Sequence, residues 1–161
     1  VVAISNDETG ISEDPDERFK VAKKIVERAA DYGIHYSNVI VDPLVMPIGA
    51  INTAGLQVMH VVRRLREELK VNTTCGASNV SFGLPNRNGI NSSFLNMAIA
   101  AGMTSAITSP LHAEVMQAVR GADVMMGHDP HCANWIKAYR EPQAADGEGG
   151  GRESRRRRRR S

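Results

Sequence analysis

Aromatic residues make up only 4% of this 161-residue chain, and cysteine occurs twice. Cys75 and Cys132 lie far apart, without the spacing of a disulfide framework, so they read as reduced thiols of a cytoplasmic protein. Few aromatics leave little to stack on nucleic-acid bases, which argues against a nucleic-acid partner. No apolar run approaches the roughly 20 residues of a membrane helix, and no signal peptide opens the chain, so no membrane partner is expected. The first residue is Val1, already inside an apolar run, which points to sequence removed upstream. Neither Gly-rich phosphate-binding motif is present, nor a Ser nucleophile elbow, so nucleotide phosphate cradling and serine hydrolysis are set aside.

What is present is an ordinary globular composition, 42% hydrophobic, with length enough for one domain and its core. The net charge of +2 is misleading. From Glu148 onward seven arginines face two glutamates, a surplus of five, so residues 1–147 carry about −3. Residues 1–141 are expected to fold, and 142–161 to form a disordered Gly/Arg-rich tail.

Val1–Ser5 reads as a strand buried on both faces. Asp14 is the expected N-cap of a helix with Pro15 at its first position and Glu17 closing a capping-box variant. Phe19, Ala22, Ile25, Val26 and Ala29 form its apolar stripe, and Gly33 its stop. Asn38–Asp42 is a second buried strand. A helix over about residues 53–70 follows, with Leu56, Met59, Val62, Leu65 and Leu69 as its stripe. Val71–Cys75 is a third strand, Asn91–Ala101 a helix ended by Gly102, and Thr104–Thr108 a fourth strand. A short helix over Ala113–Arg120 and a last one from Asp129 to Tyr139 complete the pattern. Strands alternating with helices predict an α/β fold of parallel βα units, whose binding groups gather at the strands' carboxyl ends. That puts Asn6-Asp7, Asp42, Ser78-Asn79 and Ser109 together.

Asp42 ends an apolar strand and precedes Pro43, which has no N–H to offer it. Its carboxylate can accept paired hydrogen bonds from a 2-amino-pyrimidinone ring, or it can cap a turn. Asn79 follows Gly76-Ala77-Ser78, where backbone can approach a flat ligand, and its amide both donates and accepts; stabilising a turn is the plainer role. Arg87 reads as a solvated loop arginine, with a ligand carboxylate or phosphate as the sharper alternative. His128-Asp129-Pro130-His131-Cys132 holds possible zinc ligands, yet its spacing closes no four-ligand set, and no metal is expected. His35, His60 and His112 are read as surface or packing residues, and Met125-Met126 as core fillers.

Two runs carry a resemblance. Val41-Asp42-Pro43-Leu44-Val45-Met46-Pro47 resembles the end of strand six in the methyltetrahydrofolate:corrinoid methyltransferases. Gly76-Ala77-Ser78-Asn79, continuing through Gly83-Leu84-Pro85-Asn86-Arg87, resembles their strand-seven signature. Ile90–Ala98 and Gly102–Ile107 continue the similarity in order, over roughly residues 1–140. The resemblance implies the second half, strands 5–8, of a TIM-type (β/α)8 barrel of the dihydropteroate synthase kind. It implies a pterin pocket with Asp42 and Asn79 in its lining and Gly76, Ser78 and Ile107 as walls. Asn79 would be the catalytic residue, polarising N5. It also implies transfer of a methyl group between N5 of tetrahydrofolate and the cobalt of cobalamin carried by a partner corrinoid protein. Dihydropteroate synthase itself is less similar, because Asp42-Pro43 continues into Leu44-Val45-Met46 and Ala77-Ser78-Asn79 stands where that enzyme has Ser-Arg-Lys.

The resemblance lacks the earlier strands that complete such a pocket. The half barrel is therefore expected to be inactive as a monomer, and its open strand edges to favour a homodimer. Two other function classes stand beside the enzyme: a pterin-binding fragment without turnover that needs another chain, and a nucleic-acid-associated protein acting through Arg155–Arg160.

Overall fold

Three parallel strands, β1 (Val2–Ile4), β2 (Ile40–Asp42) and β3 (Asn72–Thr73), pair in the order β1-β2-β3. They belong to a computed structural model that describes residues 1–8 and 10–140; the tail expected at 142–161 lies outside the described residues. Register aligns Val2, Ile40 and Asn72 in one row, Ala3, Val41 and Thr73 in the next, then Ile4 beside Asp42. The parallel α/β architecture thus follows the sequence pattern.

Helix α1 (Pro15–Asp31) begins where Asp14 accepts a 2.8 Å bond from the Asp16 N–H, with Pro15 in the first turn. Glu17 does not close a capping box; its carboxylate pairs with Lys20 instead. Phe19 and Ala22 bury against Ala3, Val39, Val41, Val61 and Leu65, while Gly33 takes the left-handed conformation that ends the helix. Helix α2 (Ala54–Arg64) continues into a π turn over Leu65–Leu69 and stops at Lys70, also left-handed. Of the expected stripe, Met59, Val62 and Leu65 are buried and Leu69 packs against the core, while Leu56 is 68% exposed and Val58 and Val61 are buried in addition.

Helix α3 (Arg87–Ala101) starts four residues before the expected cap, behind a left-handed Asn86, and ends at left-handed Gly102. Asn91 is buried inside the helix, where its Oδ1 accepts from Ser81 Oγ at 2.7 Å. Phe94, Leu95 and Ala98 join Val58, Met59, Val62, Cys75, Val80 and Val115 in a second core cluster. Helices α4 (Ala113–Met125) and α5 (Ala133–Tyr139) close the described chain. Met125 is 83% exposed and Met126 is exposed as well, so this pair does not fill the core.

Two other strand expectations change. The fourth strand is reduced to a single parallel bridge between Gly76 and Ile107. Threonine hydroxyls take over part of its ladder: Thr73 N–H donates to Thr104 Oγ1 and Thr104 N–H to Thr73 Oγ1. Side-chain oxygens that satisfy backbone donors leave fewer main-chain pairs to define a strand. Nor is β1 buried on both faces. Ala3 lies under the helices, whereas Val2 and Ile4 point the other way and are exposed. That face is partly open to solvent, with Val2 64% and Ile4 48% exposed. No described helix is long and apolar enough to cross a membrane.

Candidate functional site

Parallel pairing brings the carboxyl ends of β2, β3 and the Ile107 segment to one end of the sheet. Asp42 closes β2. Its carbonyl is held by Ser5, which donates through both N–H (3.1 Å) and hydroxyl (2.8 Å). Its Oδ1 accepts from the Leu44 N–H at 2.9 Å, and its other oxygen takes no hydrogen bond among the described residues. Leu44 reaches Asp42 only because it adopts a left-handed conformation, φ +63°, which is uncommon for a residue with a Cβ. The half-buried carboxyl is pushed above the ordinary carboxylate range by burial, against a smaller lowering by the Leu44 N–H. Asp42 therefore caps a turn and still keeps acceptor capacity for a ligand, since a carboxylate offers about four lone-pair sites.

Asn79 sits on a short 3-10 turn, Ala77–Ser81, directly after β3. Its backbone is committed: its N–H donates to Gly76 O and its carbonyl accepts from the Phe82 N–H, each at 3.1 Å. Its exposed side-chain amide has no hydrogen bond among the described residues. That amide lies over Gly76, where an added Cβ would come within 3.2 Å of Nδ2 and 3.4 Å of Oδ1. A side chain at 76 would therefore push the exposed amide aside by a few tenths of an ångström. Ile107 pairs beside Gly76: its N–H donates to Cys75 O and its carbonyl accepts from the Ala77 N–H, with its side chain 69% exposed.

Ser78 is also exposed, but its carbonyl is tied down by Arg87. Arg87 Nη2 donates to Ser78 O at 2.7 Å and Nε to Ser81 Oγ at 3.0 Å. Arg87 is exposed, as expected of a solvated arginine, and it also braces the turn that presents Asn79. The loop after β2 meets the same turn through Ile48 N–H, which donates to Val80 O at 2.9 Å. Asp42 and Asn79 are held by one connected frame. Beneath it the Cys75 thiol is pushed up to about 12 by burial and by the charge of Asp42, so it stays protonated and is no nucleophile.

The remaining strand-end residues are occupied locally. Asn6 N–H donates to Ile4 O, Asp7 bridges to Gly10, and Ser109 Oγ accepts from Leu111 N–H. His128 lies 3.6 Å from Asp123, and Asp129 caps α5 through the N–H groups of Asn134 and Trp135. Among the described residues no three His, Cys, Asp or Glu side chains converge as a metal site. Sequence reasoning missed the bracing arginines. A signal existed for one of them: Arg18 shares a helical face with Ala22, Ile25 and Ala29, a charge placed in an apolar stripe.

The family described as "Pterin binding enzyme" matches residues 3–109. The chain belongs to that family. It is 30% identical over 142 residues to a methylcorrinoid:tetrahydrofolate methyltransferase of Eubacterium limosum, covering 88% of this chain and 52% of that protein. It is 30% identical over 115 residues to the methionine synthase of Mycobacterium tuberculosis and 32% over 115 residues to that of Mycobacterium leprae. Each of those alignments covers 66% of this chain and 10% of the synthase. The chain therefore spans about half the length of the first relative and a tenth of the other two.

In this member of the pterin-binding family the burial of Asp42 has a testable cost. Its native carboxyl holds a proton more tightly than the unfolded one, so stability falls as pH rises from the ordinary carboxylate value through the raised native one. Asn at this position keeps an acceptor for Leu44 and carries no charge. Asp42→Asn is expected to unfold at a higher temperature than wild type at neutral pH, and the gain should vanish in acid. Equal midpoints at neutral pH would show that the carboxylate costs the fold nothing.

Proposed function

We propose that this chain is the strand 5–8 half of a (β/α)8 barrel that moves a methyl group between N5 of tetrahydrofolate and the cobalt of a partner corrinoid protein, in a cytoplasmic setting. The observation that carries the reading is the pair of uncommitted groups at adjacent strand ends, one Asp42 oxygen and the Asn79 amide, in a chain of this family. The name of the Eubacterium limosum relative, a methylcorrinoid:tetrahydrofolate methyltransferase, supports the two methyl carriers proposed. Gly76, Ser78 and Ile107 would form walls beside the pterin. Residues 1–141 would be the barrel segment and 142–161 a separate tail.

Asp42 would accept from the ring N–H and the 2-amino group of the pterin, fixing the ring in its plane. N5 is a poor leaving group as a tertiary amine, and the bond to its methyl breaks only as N5 gains a proton or a strong hydrogen bond. Asn79 cannot give up a net proton; it would orient N5, or a water beside it, and stabilise the charge that changes there. The corrinoid would supply the cobalt that gives or takes the methyl group.

The barrel reading draws support from the sheet's margins. A groove of about 720 Å³ runs along the β1 edge, lined by Val1, Asn6, Ile25 and Arg28. Another of about 710 Å³ follows the opposite margin, lined by Gly102, Thr104, Ala106 and Met116. Neither contains Asp42 or Asn79. Both lie where further βα units would pack, as the exposed Val2 and Ile4 lie where a barrel interior would be filled. A second copy of this chain could instead occupy those edges, which light scattering would reveal as a dimer.

Equilibrium binding of methyltetrahydrofolate tests the site. Asp42→Ala is expected to weaken it at least about tenfold, roughly 1.4 kcal/mol. Unchanged affinity in a folded variant would remove Asp42 from the pterin pocket.

A further inference from the structure

Arg18 is 1% exposed, the largest fully buried side chain of the described chain, and no carboxylate bonds to it. Burying a guanidinium without an ion pair is costly, because carbonyl partners replace its hydration only in part. Its Nε has no partner among the described residues. Burial lowers its pKa, and the charges of Asp14 and Glu13 act on it only through space in the opposite sense.

Its remaining bonds are unevenly distributed. Nη1 donates to Pro43 O at 3.2 Å and to Leu44 O at 2.9 Å, the carbonyls of the two residues that follow Asp42. Nη2 donates to Glu13 O at 3.4 Å and to Gln57 Oε1, and Gln57 in turn donates to Thr53. One side chain from the first turn of α1 thus joins α2 to the two peptides that shape the turn after β2. Leu44, inside that turn, is the residue with φ +63° whose N–H binds Asp42. A left-handed leucine is strained by its Cβ and persists only where its surroundings impose it.

We propose that Arg18 is a positioning residue for Asp42: by gripping the Pro43 and Leu44 carbonyls it keeps Leu44 left-handed, so that the Leu44 N–H fixes the orientation of the Asp42 carboxylate toward the pterin. The clamp itself is independent of ligand; its use in binding rests on the pterin reading above. Arg87 braces the Asn79 turn by the same chemistry, a guanidinium on a carbonyl of the presenting turn. The two groups of the site are thereby each held from behind by an arginine.

The test uses the whole chain and the Arg18→Lys variant, which retains the charge and shortens the reach. An amide that donates to a carboxylate shifts its proton resonance as that carboxylate titrates. In wild type the Leu44 amide proton and the Asp42 carboxyl carbon are expected to titrate with one midpoint. In Arg18→Lys the pH-dependent excursion at Leu44 should fall at least about twofold, because a lysine cannot reproduce the fork. Adding Leu44→Gly to Arg18→Lys should restore it, since glycine is left-handed without being forced. A full excursion in Arg18→Lys overturns the proposal. So does failure of Leu44→Gly to restore it, which would make Arg18 a support of the fold in general.

Methyltetrahydrofolate affinity then separates the clamp from the pterin reading. Arg18→Lys should weaken binding at least about threefold when Asp42 is present and not at all in the Asp42→Ala background, the non-additivity of residues acting as one unit. Equal weakening in both backgrounds counts against positioning through Asp42. If Asp42→Ala leaves binding untouched, the pterin reading fails, while the titration still decides for or against the clamp.

Discussion

Asn79→Ala, introduced into a protein that carries the complete barrel, is expected to lower kcat/KM for methyl transfer by about 10²–10³, the range for removing one preorganised polar donor from a reacting centre. The reason is differential binding: the amide matters most when charge changes at N5, so kcat should fall more than KM rises. The fold should barely register the change. Asn79's side chain is exposed and makes no hydrogen bond among the described residues, while its backbone bonds to Gly76 and Phe82 survive the substitution. Unfolding free energies of variant and wild type should therefore agree within about 0.5 kcal/mol. A steady-state assay with methyltetrahydrofolate and a corrinoid acceptor makes the measurement. Unaltered kcat/KM would take Asn79 out of the chemistry, and a rise in KM alone would reduce it to a binding group.

Leu95→Ala is expected to cost about 2–5 kcal/mol of stability, read from denaturant unfolding. Leu95 is 2% exposed and sits in the cluster where α3 meets Val58 and Met59 of α2 and Val115 of α4. Removing its isobutyl group both forfeits its transfer from water and leaves a cavity that helices anchored on several sides cannot collapse into. Leu56→Ala is the matched control, with a change within about 0.5 kcal/mol because that leucine faces solvent. Both leucines look alike in the sequence. Were the two costs reversed, α2 would be rotated from the face described above.

The expectations that held are those with local causes. Asp14 and Pro15 start α1, and Gly33 and Gly102 end helices through left-handed conformations that glycine adopts freely. The apolar β-branched runs around Ala3 and Val41 do pair, and in parallel, as short strands separated by helices must. The family was legible in the runs around Asp42 and Asn79, and the match over residues 3–109 agrees with it; the pterin role of those two residues stands as the proposal above.

The expectations that changed depend on what lies across space. Leu56 and Val58 both fit a helical stripe; the position of α1 and α3 around α2 chose Val58. Asn91 reads as a cap, but the Ser81 hydroxyl took it into the core and α3 began at Arg87 instead. Thr73 and Thr104 are 31 residues apart in sequence, and only their meeting turns a strand into a bridge.

By itself, then, the sequence determined the parallel α/β class, the helix ends, the family and the two polar residues of the candidate site. These follow from signals read within a few residues: side-chain period, capping chemistry, glycine's conformational freedom and contiguous motifs. The tertiary structure alone decided that Val58 and not Leu56 joins the buried face of α2, that Arg18 and Arg87 grip carbonyls beside Asp42 and Asn79, and that the carboxylate is half-buried. Those outcomes depend on hydrogen bonds and desolvation between segments distant in the chain, and such partners exist only after the strands have found their register.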